Sequence, residues 1–267
     1  MKAWTWFCTT AIVLLLSSFC PTIGLAAGEV DKSSAITLAD DLEIVRLGSG
    51  FWQHISWFEL ENGPAPGNGL IFANGAGVIV VDTPWTNKQT ERLIKWIKST
   101  FDLPIKHWIV THHHIDCLGG LEAVHAQEIP SISFVMTALL ADEDQRSVPR
   151  DTFEDSLMIV MGADTIDVVY PGPAHSPDNV VVWFRSDRVL FSGCMIRSES
   201  AKSLGYTGVA DLEAWPSSLA NVARRFSYFE IIVPGHGSPG GAELLWNTLR
   251  LLRETRSVRR TDRPETH

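Results

Sequence analysis

The chain has 267 residues, 45% of them hydrophobic and 20% charged, and 22 Lys and Arg against 31 Asp and Glu leave a formal net charge of −9. That length suits one sizeable domain with a full core. The acidic balance, with no basic run, excludes nucleic acid and anionic lipid as partners.

Residues 1–27 read as a secretory signal peptide. Lys2 opens the segment, the apolar run Ala11-Ile12-Val13-Leu14-Leu15-Leu16 follows, and Gly24-Leu25-Ala26-Ala27 closes it as a small-residue cleavage site. The apolar run is far short of the roughly 20 residues a spanning helix needs, so export to the periplasm is expected and stable membrane insertion is not. Cleavage removes one of the 22 basic residues and none of the 31 acids, so the domain over residues 28–267 carries −10. Cys8 and Cys20 leave with the signal, so Cys117 and Cys194 remain, as one disulfide or as thiols at a metal.

Within the domain, 70–83 reads as two apolar runs around the turn Asn74-Gly75-Ala76-Gly77, a hairpin. Residues 88–101 place Leu93, Ile94, Ile97 and Phe101 at helical spacing. His107-Trp108-Ile109-Val110 is a short buried strand, 118–127 a helix and 131–135 another strand. After a polar stretch, 165–170, 179–184 and 188–191 read as strands separated by turn residues. Helix 215–226, with Pro216 near its start, strand 231–233 and amphipathic helix 242–252 complete the pattern. Strands alternate with helices in both halves, which favours an α/β layered fold. Residues from about 254 to 267 are charged and aperiodic and are expected to form a disordered tail.

The chemistry-bearing residues fall just beyond strands. His112, His114 and Asp116 follow strand 107–110, His175 follows 165–170, Cys194 follows 188–191, and His236 follows 231–233. Side chains two apart in an extended segment share a face, so His112 and His114 reach one ion together while His113 points away. Imidazole, thiolate and carboxylate are zinc's usual donors, and catalytic zinc keeps three protein ligands plus water. Six candidates divide into two such sets: His112, His114 and His175 for a first Zn2+, and Asp116, Cys194 and His236 for a second. His54, His107 and His125 read as packing or surface residues.

His112-x-His114-x-Asp116, Gly172-x-x-His175-Ser176-x-Asp178-Asn179, Gly193-Cys194 and Pro234-Gly235-His236-Gly237 resemble the metallo-β-lactamases, specifically subclass B1. Asn68-Gly69-Leu70-Ile71, Val81-Asp82-Thr83-Pro84-Trp85 and Lys202-Ser203-Leu204-Gly205 extend the similarity over nearly the whole mature chain. Relatives in the wider superfamily have a second His directly after the Asp and an Asp bridging the metals. Here Cys117 and Cys194 stand instead, which points to the lactamase branch.

The resemblance implies a four-layer αβ/βα sandwich and a monomer holding two Zn2+. It also implies hydrolysis of the β-lactam amide of penicillins, cephalosporins and carbapenems by a metal-bound hydroxide that Asp116 orients. Arg197 stands where most of the family has a Lys for the substrate carboxylate. Tyr206 stands where the family often has an oxyanion-contacting Asn. Residues 58–69 match the mobile hairpin loop that covers substrate, with Trp57 and Phe58 as an apolar surface. Asp82 falls where the family buries an aspartate beneath the metals. Asp178 and Asn179 either join that supporting layer or only shape the turn after His175. Cys117, beside Asp116, is either a small side chain that fits its space or a thiol that tunes the second ion. Two competing functions remain: a superfamily hydrolase of another thioester, lactone or ester, and a zinc-binding protein with little turnover.

Overall fold

The computed structural model describes residues 35–261, with side chains to residue 258. The expected signal peptide, with Cys8 and Cys20, lies outside the described residues. Two sheets face each other. The larger runs in chain order from β1 (Ile36–Ala39) through β2 (Leu42–Gly48), β3 (Phe51–Leu60), β4 (Gly63–Asn74), β5 (Gly77–Val81), β6 (Ile105–Val110) and β7 (Ser131–Phe134) to β8 (Asp151–Phe153). The smaller has the order β13 (Ile231–Pro234), β12 (Val189–Gly193), β11 (Val181–Phe184), β10 (Asp164–Val169), β9 (Ser156–Met161).

Three apolar layers alternate with these sheets. Between them Phe51, Leu70, Phe72, Ile79, Val81 and Ile109 meet Val168, Val182, Phe184, Phe191 and Val233. On the outer face of the larger sheet, Ile71, Val78, Val80 and Trp108 are covered by Leu93, Ile94 and Ile97 of α1 (Asn87–Phe101) and by Leu121 and Val124 of α3 (Leu121–Ala126). On the outer face of the smaller sheet, Val181, Trp183, Leu190 and Ile232 lie under Leu219 and Val222 of α5 (Trp215–Arg225) and Leu244, Leu251 and Leu252 of α6 (Glu243–Thr261). Helix, sheet, sheet, helix is the αβ/βα sandwich that the motifs implied. Strands buried on both faces explain the unbroken apolar runs at 78–81, 108–110 and 181–184.

Local chemistry sets the element ends. Thr86 caps α1 in a reciprocal capping box: Gln89 N–H donates to Thr86 Oγ1 at 3.3 Å, and Thr86 N–H donates to Gln89 Oε1 at 3.1 Å. The helix read over 118–127 is two helices, α2 (Ile115–Leu118) and α3, broken at Gly119-Gly120. The break lets the chain pass close to its neighbours: a Cβ on Gly120 would lie 1.8 Å from Thr90 Oγ1, and one on Gly119 2.2 Å from the Trp85 carbonyl oxygen.

Helix α4 (Val135–Glu143) occupies part of the stretch read only as polar. The segment expected to fray from 254 instead continues α6 to Thr261. Beyond the last core contact at Leu252 that helix is supported by the Arg250–Glu254 pair at 2.7 Å, by Thr255 Oγ1 donating to the Leu251 carbonyl at 2.9 Å, and by Arg256 with Glu213. Residues 58–69 run through the end of β3 and the start of β4. They form a hairpin paired from Trp57↔Pro66 to Leu60↔Gly63, and Phe58 stacks on Trp85 with ring centroids 5.5 Å apart.

Candidate metal centre

The C-terminal ends of β5, β6, β10, β12 and β13 converge along one edge of the sandwich, and each hands a polar loop to the same cleft. Val180 N–H donates to the Thr111 carbonyl at 2.9 Å, which ties the two sheets together at that edge. The extended backbone after β6 turns His112 and His114 to one side and His113 to the other, as their spacing required.

Three imidazole nitrogens meet there. His112 Nε2 lies 3.0 Å from His114 Nδ1, which lies 3.1 Å from His175 Nε2. One nitrogen cannot donate to both neighbours, so lone pairs are left converging on a common point, the electronic arrangement a dication needs. Beside them Asp116 Oδ2 lies 3.1 Å from His236 Nε2 and 3.4 Å from Cys194 Sγ. Within each set of three the donor atoms all lie within 4.8 Å of one another. A cradle of nitrogen, thiol and carboxylate donors of this kind fits zinc. Gly235 is required by the same crowding: a Cβ there would lie 2.6 Å from Cys194 Sγ.

The profile of the Metallo-beta-lactamase superfamily matches residues 62–256. The chain belongs to the metallo-β-lactamase superfamily. It is 32% identical over 244 residues to the metallo-beta-lactamase type 2 of Bacteroides fragilis, covering 91% of this chain and 96% of that one. Among solved structures, a metallo-β-lactamase from Pontibacter korlensis superposes with a TM-score of 0.77 at 37% identity, covering 79% of this chain and 99% of that one. The enzyme TMB-1 gives 0.78 at 32% identity, covering 82% and 100%.

Around this metallo-β-lactamase cleft lies a supporting layer the sequence showed only in part. Asp82, fully buried, accepts from Thr111 N–H at 2.7 Å and from Thr111 Oγ1–H at 2.8 Å. With its own proton so committed, Thr111 Oγ1 accepts from His112 Nδ1 at 3.2 Å, which leaves His112 Nε2 to face the cluster. Asp82 holds this post with a left-handed φ of 59°. Burial raises its carboxyl to about 7, against the opposing His112 charge and Thr111 bonds. Thr111 was missed; its place directly before His112 was the available signal.

Asp178 does more than shape a turn. Its Oδ2 accepts from the His113 backbone N–H at 2.8 Å and its Oδ1 pairs with His113 Nδ1 at 2.9 Å. These bonds outweigh burial and hold Asp178 below the usual carboxylate range. Asn179 Oδ1 accepts from Ser176 N–H at 3.1 Å, beside His175. Across the cleft Asn68 Nδ2 donates to the Pro234 and Gly237 carbonyls, each at 2.8 Å, and the Pro66 carbonyl accepts from His236 Nδ1. The hairpin is thus laced to the His236 loop, a role for Asn68 that was not foreseen.

The charges balance internally. Burial opposes protonation of His112, but the Cys194 sulfur, Asp116 and Asp178 outweigh it and raise His112 to about 9. Burial and the neighbouring His112 charge lower His175, to about 4, and depress His114 strongly. His236 is held well above the imidazole range by Cys194 and Asp116 despite burial. Cys194 is held well below the ordinary thiol value, first by a hydrogen bond from Cys117 and then by the His236 charge. Burial raises Cys117 well above it. Both thiols are free and buried, so the disulfide alternative is not realised.

At the rim, Tyr206 is 63% exposed with its ring 5.5 Å from that of His114. The positive charge of Arg197 is felt at His175, and its guanidinium lies 3.4 Å from where a Gly205 Cβ would stand. The histidines read as bystanders stay outside the cluster: His54 is buried against the Asp82 carbonyl at 3.1 Å, His125 Nε2 meets Ser131 Oγ at 2.8 Å, and His107 is partly buried on β6.

Proposed function

We propose that the mature chain, residues 28–267, is a periplasmic, monomeric di-zinc β-lactamase that hydrolyses the amide bond of penicillins, cephalosporins and carbapenems. The observation that carries this is the pair of triads meeting in one cleft: His112, His114 and His175 for the first Zn2+, and Asp116, Cys194 and His236 for the second. The signal-like residues 1–27 support export, and among the described residues no helix is long and apolar enough to cross a membrane.

Zinc supplies two things when bound: it lowers the pKa of water towards roughly 7 and polarises a carbonyl oxygen. The chain's own groups do the rest. Asp116 uses one carboxylate oxygen in the second triad and keeps the other to accept a proton from, and so orient, the attacking water. Arg197 offers two parallel N–H donors to the substrate carboxylate. Tyr206, exposed over His114, presents a phenol donor and an aromatic face at the cleft mouth. The chemistry calls for no protein nucleophile.

The test is turnover of a carbapenem and a chromogenic cephalosporin by the purified mature protein, with and without a zinc chelator, beside a metal count. Chelator-sensitive hydrolysis with two zincs per chain is expected. Zinc bound under reducing conditions with neither substrate cleaved would overturn the assignment and move the search to thioesters and lactones.

A further inference from the structure

Where β10 gives way to the loop that carries His175, α5 and the strand exit enclose a cavity of about 370 Å³. It lies on the outer face of the smaller sheet, and none of the residues lining it belongs to either triad. Its floor is apolar, made by Val169 of β10 with Val222 and Phe226 at the end of α5. Its rim carries Arg224 and Arg225, in the last turn of that helix. No acidic side chain lines it.

The walls are set before anything enters. Asn221 Nδ2 donates to the Pro171 carbonyl at 2.8 Å, which joins the helix to the strand exit. Arg224 in turn donates to Asn221 Oδ1, so its guanidinium is held at the rim. The guanidinium carbon of Arg225 lies 5.9 Å from the centre of the Phe226 ring. On the facing wall, Tyr170 is pinned by its hydroxyl donating to the Pro177 carbonyl at 2.9 Å and by its ring stacking on Phe134, 4.4 Å between centroids.

The charge at the rim is not balanced locally. Among the described residues neither arginine has a carboxylate partner, in a chain of net charge −9. Asp167, two residues before Val169, is committed to Arg185 by bonds of 2.6 and 2.7 Å. A helix C-terminus favours a positive charge, but that does not call for two adjacent ones above an apolar cavity. An anion at the rim relieves their repulsion and takes their paired N–H donors.

We propose that this cavity is a binding site for a small aryl carboxylate, with its rings on the Val169, Val222 and Phe226 floor and its carboxylate on Arg224 and Arg225. The volume falls in the lower part of the range of roughly 300–1,000 Å³ typical of small-molecule sites, room for two fused rings. A preformed wall keeps the ordering cost of binding low. The site goes beyond the β-lactamase reading and does not rest on it, since no metal takes part.

The experiment is titration of the isotope-labelled mature holoprotein with naphthoate, followed by amide chemical shifts, beside neutral naphthamide and an Arg224→Gln, Arg225→Gln double variant. Saturable shifts are expected at residues 169–171 and 221–226. The dissociation constant should rise about tenfold or more in the double variant, whose metal content and remaining spectrum match the parent's. Naphthamide should bind more weakly than naphthoate by a similar factor. Naphthoate shifts confined to residues 111–116 and 194–197 would place the ligand in the metal cleft and overturn the proposal. Equal binding by the double variant, or equal binding of naphthamide, would overturn it too, because the arginines would then recognise no charge. Turnover of β-lactams is a separate measurement, so failure of either reading leaves the other standing.

Discussion

Asp178 grips His113 twice, through the backbone N–H at 2.8 Å and through Nδ1 at 2.9 Å, with the carboxylate fully buried. Since Asp178 follows His175 in its loop and His113 sits between His112 and His114, this single side chain fixes the spacing of all three imidazoles. Asp178→Ala leaves a buried ring and a buried amide without their acceptor. A loss of about 3 kcal/mol is expected in urea unfolding, with zinc of the first triad released at a lower chelator concentration than in the parent. Unchanged zinc retention in a folded variant would deny the residue this positioning role.

Thr111 relays Asp82 to His112, and Thr111→Val replaces only the hydroxyl, by a methyl of similar size. The substitution deprives Asp82 of one donor and His112 Nδ1 of its acceptor. A destabilisation of about 1–3 kcal/mol and a loss of about 10- to 100-fold in first-site zinc affinity are expected, read by competition with a chromophoric chelator. Thr111→Ser keeps the hydroxyl and should recover most of the affinity.

Arg197 tests substrate recognition apart from metal binding. Arg197→Ala should raise KM for a carboxylate-bearing β-lactam about tenfold or more, the worth of a charge-assisted hydrogen bond, with the metal content of the parent unchanged. Arg197→Lys, which keeps the charge but not the paired donors, should lie between the two. If KM is unchanged in the alanine variant, the guanidinium does not meet the substrate carboxylate.

The elements that could be read from sequence are those whose burial is expressed in the chain itself. Apolar runs at 78–81 and 181–184 and the helical spacing of Leu93, Ile94 and Ile97 signal their layers directly. The six candidate ligands were legible for the same reason, because each follows a strand whose apolar residues stand out in the sequence. What was not legible depends on partners far along the chain. Gly119-Gly120 is a local breaker in its own right, but the close approach of Thr90 and Trp85 that leaves no room there for a Cβ is not written nearby. Asn68 looks like an ordinary polar residue until Pro234, ending a strand of the other sheet, and Gly237, in the loop after it, come to its amide. The pairing of His113 with Asp178 likewise spans 65 positions, and no local pattern announces it. Helix α4 was missed because its apolar residues are not confined to one face.

His54 offers a pH test that involves no metal ligand. It is completely buried, its Nε2 donating to the Asp82 carbonyl at 3.1 Å while a Cβ on Gly69 would fall 1.9 Å from the ring. Burial lowers its pKa from 6.5 to about 4, against the raising effect of the Asp82 and Val81 carbonyls. The folded chain keeps this imidazole neutral down to about pH 4, whereas the unfolded chain protonates it below 6.5. Between those values the unfolded state binds more protons, so this contribution to stability is complete above pH 6.5 and is lost as pH falls towards 4. At pH 5 the expected loss is about 2 kcal/mol relative to pH 7. Urea unfolding of the chelated protein at the two pH values, beside a His54→Gln variant that cannot titrate, isolates the effect as the difference between the two losses. The parent should lose about 2 kcal/mol more than the variant; equal losses would mean that His54 is protonated in the folded chain, its Nδ1 finding an acceptor.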